Sequence, residues 1–347
     1  MMSKTSGIEK ATIREYMDRV VKRTMAMDFA WDWPAGVAFY GICRAWDVLK
    51  EQEYLDYLTA WVDGYLEKGT PKLTINAVSI GHTLITLHDA TGEEKYLDQA
   101  KAMAEFLTNE AVRFGDGVFQ HTVSQNYDFP EQAWADTLFM AAYFLARMGV
   151  KTANEGYLKD GLKQYYWHEE YLQDTTSNLY YHAWDNVNKN NLSAIYWGRA
   201  NAWVTVTSAG ALTLIDAFNP SFMTILDALR DQLAALVRLQ SENGLWHTVL
   251  DDPSSYEEIS ASAGILAGLI GYERVLGQSI YAEHITKAIQ GLLANIAEDG
   301  RAMNVSAGTA VMKNAGDYKL VPKKRIQGWG QGLVLAALAE AYLMSGE

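Results

Sequence analysis

The sequence predicts an all-α protein, an (α/α)6 barrel of six helical hairpins, from three observations. Apolar residues recur at three- and four-residue spacing through about twelve segments. The connections alternate between short polar turns and long loops. One helix of each pair is apolar almost all round while its partner is amphipathic, and a helix apolar on every side must be buried on every side. Six inner helices ringed by six outer ones satisfy all three.

The helices are expected over roughly 9–27, 36–50, 52–68, 77–91, 93–108, 131–148, 154–172, 197–216, 220–240, 260–277, 279–296 and 328–345, with boundaries good to about two to four residues. The first is a charged amphipathic helix, expected to close the ring against the last; without that closure the hairpins would stack as an open solenoid. AGVAFYGICRA, SASAGILAGLIGY and WGQGLVLAALAEAYL read as inner helices, and EEKYLDQAKAMAEFL, with charges on one face, as an outer one. The short turns LKEQEY, TGEEKY, FNPSF and LGQSIY force antiparallel hairpins. Strand signals are nearly absent. The segments 109–130, 173–196, 241–259 and 297–327 are long, and loops of that length are usually functional.

Residues 1–347 read as one domain, since tryptophans spread evenly from Trp31 to Trp329 and no low-complexity linker interrupts them. The lone Cys43 permits no intramolecular disulfide. A formal net charge of −13 argues against nucleic acid and anionic membranes as partners. The first residues lack an apolar signal-like core and no segment reads as membrane-spanning, so a cytoplasmic location is expected. A small anionic substrate stays compatible, provided a pocket holds a local cation.

A long-period repeat places Asp136, Arg199 and Ser262 at equivalent positions 63 residues apart, each opening an apolar helix. One mouth is therefore expected to collect an acid, a cation and hydroxyls. Asp136 in WADTLFMAA is a candidate general acid, with the helix dipole lowering its pKa and burial raising it. Arg199 in YWGRANAWV sits where a guanidinium is unfavourable to the dipole; it reads as a fork for a substrate carboxylate, or else as the partner of Asp185 or Glu258. Trp203 follows four residues on, on the same face. The loops FGDGVFQHT, SNLYYHAWD and ENGLWHTVLDD share aromatic residues and a histidine, which sets His121, His182 and His247 at the mouth. Trp31, Trp33, Trp134, Trp184, Trp197, Trp203, Trp246 and Trp329 fall near inner-helix starts, an aromatic rim suited to sugar rings. Glu258, Ser260 and Ser262 also fit a helix cap. No Walker or Rossmann glycine loop, GxSxG elbow, HExxH pair or metal cluster appears, so no cofactor is expected.

Taken in order, WDWPAGVAFYGICRAW, INAVSIGHTLITLHDATGEEKYLDQA, WADTLFMAAYFLARMG, YYHAWD, WGRANAWV, GLWHTVLDDPSSYEEISASAG and GWGQGLVLAALAEAY resemble glycoside hydrolase family 105, the unsaturated rhamnogalacturonyl hydrolases, over nearly the whole chain. The resemblance implies an (α/α)6 barrel acting on lyase-generated oligosaccharides that end in a 4,5-unsaturated uronic acid. It implies Asp136 as proton donor to the double bond and His182, Arg199 and Trp203 in the substrate pocket. Asn76, in LTINAVSIG, stands where many relatives carry a second aspartate. With Trp33, Trp134 and Trp329 from the rim, these residues make up the expected substrate site. A sugar epimerase on the same barrel, or a non-catalytic carbohydrate-binding scaffold, are the competing readings.

Overall fold

The computed structural model describes residues 8–123 and 127–345. Its inner helices are α2 (Trp33–Leu49), α4 (Gly81–Thr91, entered by a 3-10 turn Ala77–Ile80), α6 (Tyr143–Thr152), α8 (Gly198–Leu212), α10 (Ile259–Leu276) and α13 (Gly328–Met344). The outer ones are α1 (Lys10–Met25), α3 (Gln52–Lys68), α5 (Glu94–Asn109), α7 (Glu155–Leu172), α9 (Phe222–Arg238) and α11 (Ala282–Ala294), while α12 (Ala315–Lys319) is a short helix within the last long loop. Each inner helix packs against the next, α13 packs on α2, and α1 packs on α13. This is the expected (α/α)6 barrel, closed as expected by the first and last helices.

Burial follows from composition. Residues 328–341 of α13 and 259–273 of α10 are buried without interruption, as the all-round apolar patterns require. Ile259–Leu276 is long and apolar enough to cross a membrane, but 83% of it is buried within the ring. The ring closes at backbone distance: a Cβ added at Gly41 would fall on the Gly332 backbone, and one at Gly332 on the Val37 backbone. A buried amide stitches the seam, with Gln331 Nε2 donating to Gly300 O at 3.0 Å and Thr24 Oγ1 at 3.2 Å.

Several boundaries differ from expectation by three residues or more, among them the ends at Thr152 and Leu212 and the start at Ala282, and two have a local cause. Helix α2 begins at Trp33, three residues early, because Asp32 accepts from the Trp33 N–H at 2.7 Å and Pro34 suits a first turn. The helix expected over 131–148 starts at Asp136, and its first residues instead form a strand. Among the described residues six short strands make three antiparallel pairs: β1 (Arg113–Phe114) with β2 (Val118–Phe119), β3 (Thr122–Val123) with β4 (Tyr127–Asp128), and β5 (Gln132–Trp134) with β6 (Ala183–Asp185). Such two- and three-residue strands leave almost no period-2 signal. A π-helical turn, Leu138–Ala142, lies between Asp136 and α6, an irregularity frequent at functional sites.

The α2–α13 contact leaves no room for a side chain. Gly41→Ala should therefore destabilise the protein by about 1–3 kcal/mol through overpacking, read as a lower urea midpoint at unchanged slope; an unchanged midpoint would show that the helices can part freely.

Candidate active site

The loops and the inner-helix N-termini at one end of the barrel enclose a cavity of about 700 Å³, open mouth included. Trp33, Asn76, His121, Phe129, Trp134, Asp136, Met140, Trp197, Arg199, Trp203 and the 308–310 segment line it. Trp33 comes from α2, Asn76 from the turn before α4, Trp134 from β5, and Arg199 and Trp203 from the first turns of α8. Sequence reasoning therefore found eight lining residues: Trp33, Asn76, His121, Trp134, Asp136, Trp197, Arg199 and Trp203.

Antiparallel pairing builds the centre of the site. β5 and β6 pair Trp134 with Ala183, and the Ala135 N–H donates to His182 O at 3.0 Å. One step further along the chain, the Asp136 carboxylate meets the His182 ring, with Oδ2 3.4 Å from Nε2. Its other oxygen, Oδ1, accepts from Trp203 Nε1 at 3.1 Å, and its side chain keeps 14% exposure, enough to face a ligand. Burial pushes the carboxyl pKa up, but His182, His121 and Arg199 more than offset it and hold the group below the usual carboxylate range. The opposition expected from the sequence is decided by these neighbours, and Asp136 is a carboxylate in the free protein at neutral pH.

The histidines divide. His121 lines the cavity, stacked on Trp134 at 4.4 Å with Nδ1 3.0 Å from Thr137 Oγ1, and burial above all brings its pKa down to about 4. His182 does not line the cavity. It lies behind Asp136, its ring 4.1 Å from that of Trp197 and its Nδ1 2.7 Å from Tyr318 Oη. Burial, with Arg199 in support and Asp136 opposing, lowers its pKa. His247 does not line the cavity; its Nδ1 bonds to Ser255 O at 2.6 Å.

Arg199 is not the open fork that was expected. Its Nη1 donates to Ser260 Oγ at 3.2 Å and to both oxygens of Ser306, and its Nη2 to Ala307 O at 2.9 Å and Thr309 Oγ1 at 3.1 Å. Glu258, and not Asp185, is its buried counter-ion, with Oε1 at 3.6 Å. Glu258 in turn accepts from Ala261 N–H at 2.6 Å as the cap of α10, and from Ser306 N–H at 2.8 Å. Both amino groups thus shape the 306–310 wall while the guanidinium charge remains beside the cavity. Ser262, the third repeat position, does not line the cavity: its hydroxyl accepts from Trp246 N–H at 2.9 Å and donates to Glu258 O at 2.9 Å.

The aromatic rim is narrower than expected. Trp329 sits behind Trp33, stacked at 4.4 Å, and donates from Nε1 to Ser306 O at 3.1 Å. Trp31 stacks on Trp61, Trp184 on Tyr171, and Trp246 is buried with its Nε1 on Leu236 O. Phe129, Met140 and the 308–310 segment were not anticipated as lining residues. Met140 had a signal, four residues after Asp136 on a helix; the 308–310 segment had none. Among the described residues no group of three or more His, Cys, Asp or Glu side chains is placed to hold a metal ion.

Residues 5–345 match the family model of Glycosyl Hydrolase Family 88. The chain belongs to this family. It is 55% identical over 333 residues to unsaturated rhamnogalacturonyl hydrolase YesR of Bacillus subtilis (strain 168), covering 96% of this chain and 95% of that one. A crystal structure from Salmonella enterica, described as a possible member of GH105 family, superposes with a TM-score of 0.93 at 26% identity, covering 97% of this chain and 95% of that one. The family 105 likeness read from the motifs is thereby borne out. The unsaturated glucuronyl hydrolase of Bacillus sp. GL1 shares the fold at a TM-score of 0.74 and 16% identity, over 94% of this chain and 96% of its own.

Removing Arg199 would strand Glu258 as an uncompensated buried charge. Arg199→Ala should cost about 3–5 kcal/mol in chemical denaturation, and adding Glu258→Gln should recover part of it; a double variant no more stable than the single one would break the pairing.

Proposed function

We propose that this glycoside hydrolase removes the 4,5-unsaturated uronic acid from the non-reducing end of lyase-generated oligosaccharides by hydrating the C4=C5 bond, with Asp136 as the proton donor. The observation that carries this is the Asp136 carboxylate in the cavity wall, bonded by Trp203, backed by His182 and within the field of Arg199. The high identity to an unsaturated rhamnogalacturonyl hydrolase supports the reaction class.

The chemistry asks little of the protein beyond one acid. The C4=C5 bond is an enol ether, so a proton delivered to C4 leaves positive charge on C5, shared with the ring oxygen. Water adds at C5 and gives up a proton, the hemiketal opens, and the aglycone leaves. A pair of carboxylates at glycosidase spacing is not needed; a single group that gives a proton and later regains one suffices.

Asp136 must first acquire that proton, and the substrate can bring this about. Its carboxylate, held in the same cavity, places a second negative charge near Asp136, and its ring displaces water. Both effects raise the Asp136 pKa. The Arg199 charge favours the uronate without a free fork, and the Thr309 hydroxyl and the Asn76 amide offer local contacts. Asn76 Oδ1 is buried without a hydrogen-bond partner, an acceptor suited to a sugar hydroxyl. The half-buried indole of Trp33 supplies an apolar surface for a ring, with Trp134 and Trp197 bordering the cavity beside it. An epimerase would need two imidazoles flanking one sugar carbon; here His121 lines the cavity, while His182 stands behind the acid.

Asp136→Asn should lower kcat by about 10²–10⁴-fold, followed as the loss of ultraviolet absorbance of lyase-generated disaccharides, with binding little changed. Retained turnover would remove Asp136 from the mechanism. Because the free carboxyl lies below its ordinary range and the bound anion raises it, binding of an unreactive saturated uronate disaccharide should be accompanied by proton uptake that grows as the pH is lowered from neutral. Calorimetry in buffers of different ionisation enthalpy reads this directly, and uptake that persists in Asp136→Asn would assign the proton elsewhere.

A further inference from the structure

We infer that Tyr318, which lies outside the cavity, is a positioning residue: it fixes which ring nitrogen of His182 carries the proton, so that an N–H and not a lone pair faces the Asp136 carboxylate. The inference rests on the proposed role of Asp136.

Tyr318 belongs to α12 and is completely buried. Its Oη accepts from the Met312 N–H at 3.3 Å and lies 2.7 Å from His182 Nδ1. Burial pushes the phenol up to about 12, so the hydroxyl keeps its proton at any working pH. The Met312 N–H and the Ser193 side chain both act on this oxygen against the effect of burial, which leaves Nδ1 as the acceptor facing its proton. A neutral imidazole that accepts at Nδ1 carries its hydrogen on Nε2, and Nε2 is the atom 3.4 Å from Asp136 Oδ2. The opposite tautomer would set a lone pair against a carboxylate that is ionised in the free protein.

Several groups face this pair from other elements. His121 approaches Asp136 from the β2–β3 connection, and Arg199 acts on both Asp136 and His182 from the start of α8. None of them touches His182 Nδ1; the tyrosine hydroxyl does. The 297–327 segment therefore serves the site twice. Its 306–310 stretch, gripped by Arg199, forms the cavity wall, and a few residues later it delivers Tyr318 to the rear of His182.

Removing the hydroxyl frees the imidazole to turn either nitrogen toward Asp136. That favours the protonated acid relative to the carboxylate, so the Asp136 pKa should rise. In ¹⁵N-histidine-labelled full-length protein, the His182 signals, assigned by their loss in His182→Gln, should show the Nε2–H tautomer. In Tyr318→Phe this single tautomer should be lost. The pH at which kcat/KM falls should move upward by roughly half a unit to one unit, the equivalent of one hydrogen bond's net strength, while KM changes far less than kcat/KM. A purely structural tyrosine would move neither the tautomer nor the limb. An Nδ1–H tautomer in the unmodified protein, or an unmoved limb in a folded Tyr318→Phe, overturns the inference. The tautomer measurement needs no turnover, so inactivity toward unsaturated disaccharides would overturn the proposed function, while the tautomer would still decide the assignment to Tyr318.

Discussion

One negative charge, held nearly out of water, organises the mouth of this barrel. An ionised carboxylate in such surroundings is costly unless donors and opposite charge compensate it. The Asp136 shell does both: an indole N–H meets one oxygen, an imidazole nitrogen faces the other, and a guanidinium lies nearby. The same compensation that lets the free protein hold the charge opposes protonation of the acid. A ligand with its own negative charge tips that balance, so the affinity of the site for anions and the readiness of its acid are one electrostatic property.

The Arg199–Glu258 pair supplies the frame. Glu258 caps α10 and holds the Ser306 N–H, and Arg199 ties α8 to the Ser306 and Ala307 carbonyls. Two neighbouring inner helices and the last long loop are thus joined at one buried ion pair, whose desolvation is offset because nearly every donor and acceptor has a partner. A loop needs such anchoring to act as a pocket wall, since loop backbone rarely lies inside a protein unless its polar groups are satisfied. The price is that Arg199 no longer presents a free fork to a substrate.

The 63-residue repeat shows how one scaffold position is put to different uses. Asp136, Arg199 and Ser262 occupy equivalent places near the starts of α6, α8 and α10. The first faces the cavity, the second borders it while bracing a loop, and the third lies beneath the wall as a local hydrogen-bonding group. Equivalent backbone position sets the direction in which a side chain leaves its helix. The loop laid over that helix decides whether the side chain meets a ligand or the protein.

The fold was almost wholly determined by local sequence. The all-round apolar helices could be buried only as an inner ring, and the short polar turns left their partners only the outer one, so barrel, closure and most boundaries followed from periodicity. The strand at 132–134 escaped because its pairing with 183–185 is non-local and too short to leave a period. The site was legible in part: Asp136, Arg199, Trp203, Asn76, Trp33 and Trp134 converge on one cavity as their spacing and family likeness suggested. That Trp329 and His182 stand a layer behind, that Arg199 is already engaged, and that Tyr318 reaches His182 across 136 residues depended on how the 297–327 segment folds back. Helix burial is written in neighbouring residues. The orientation of a polar group inside a pocket depends on distant partners, and only the tertiary structure brings those together.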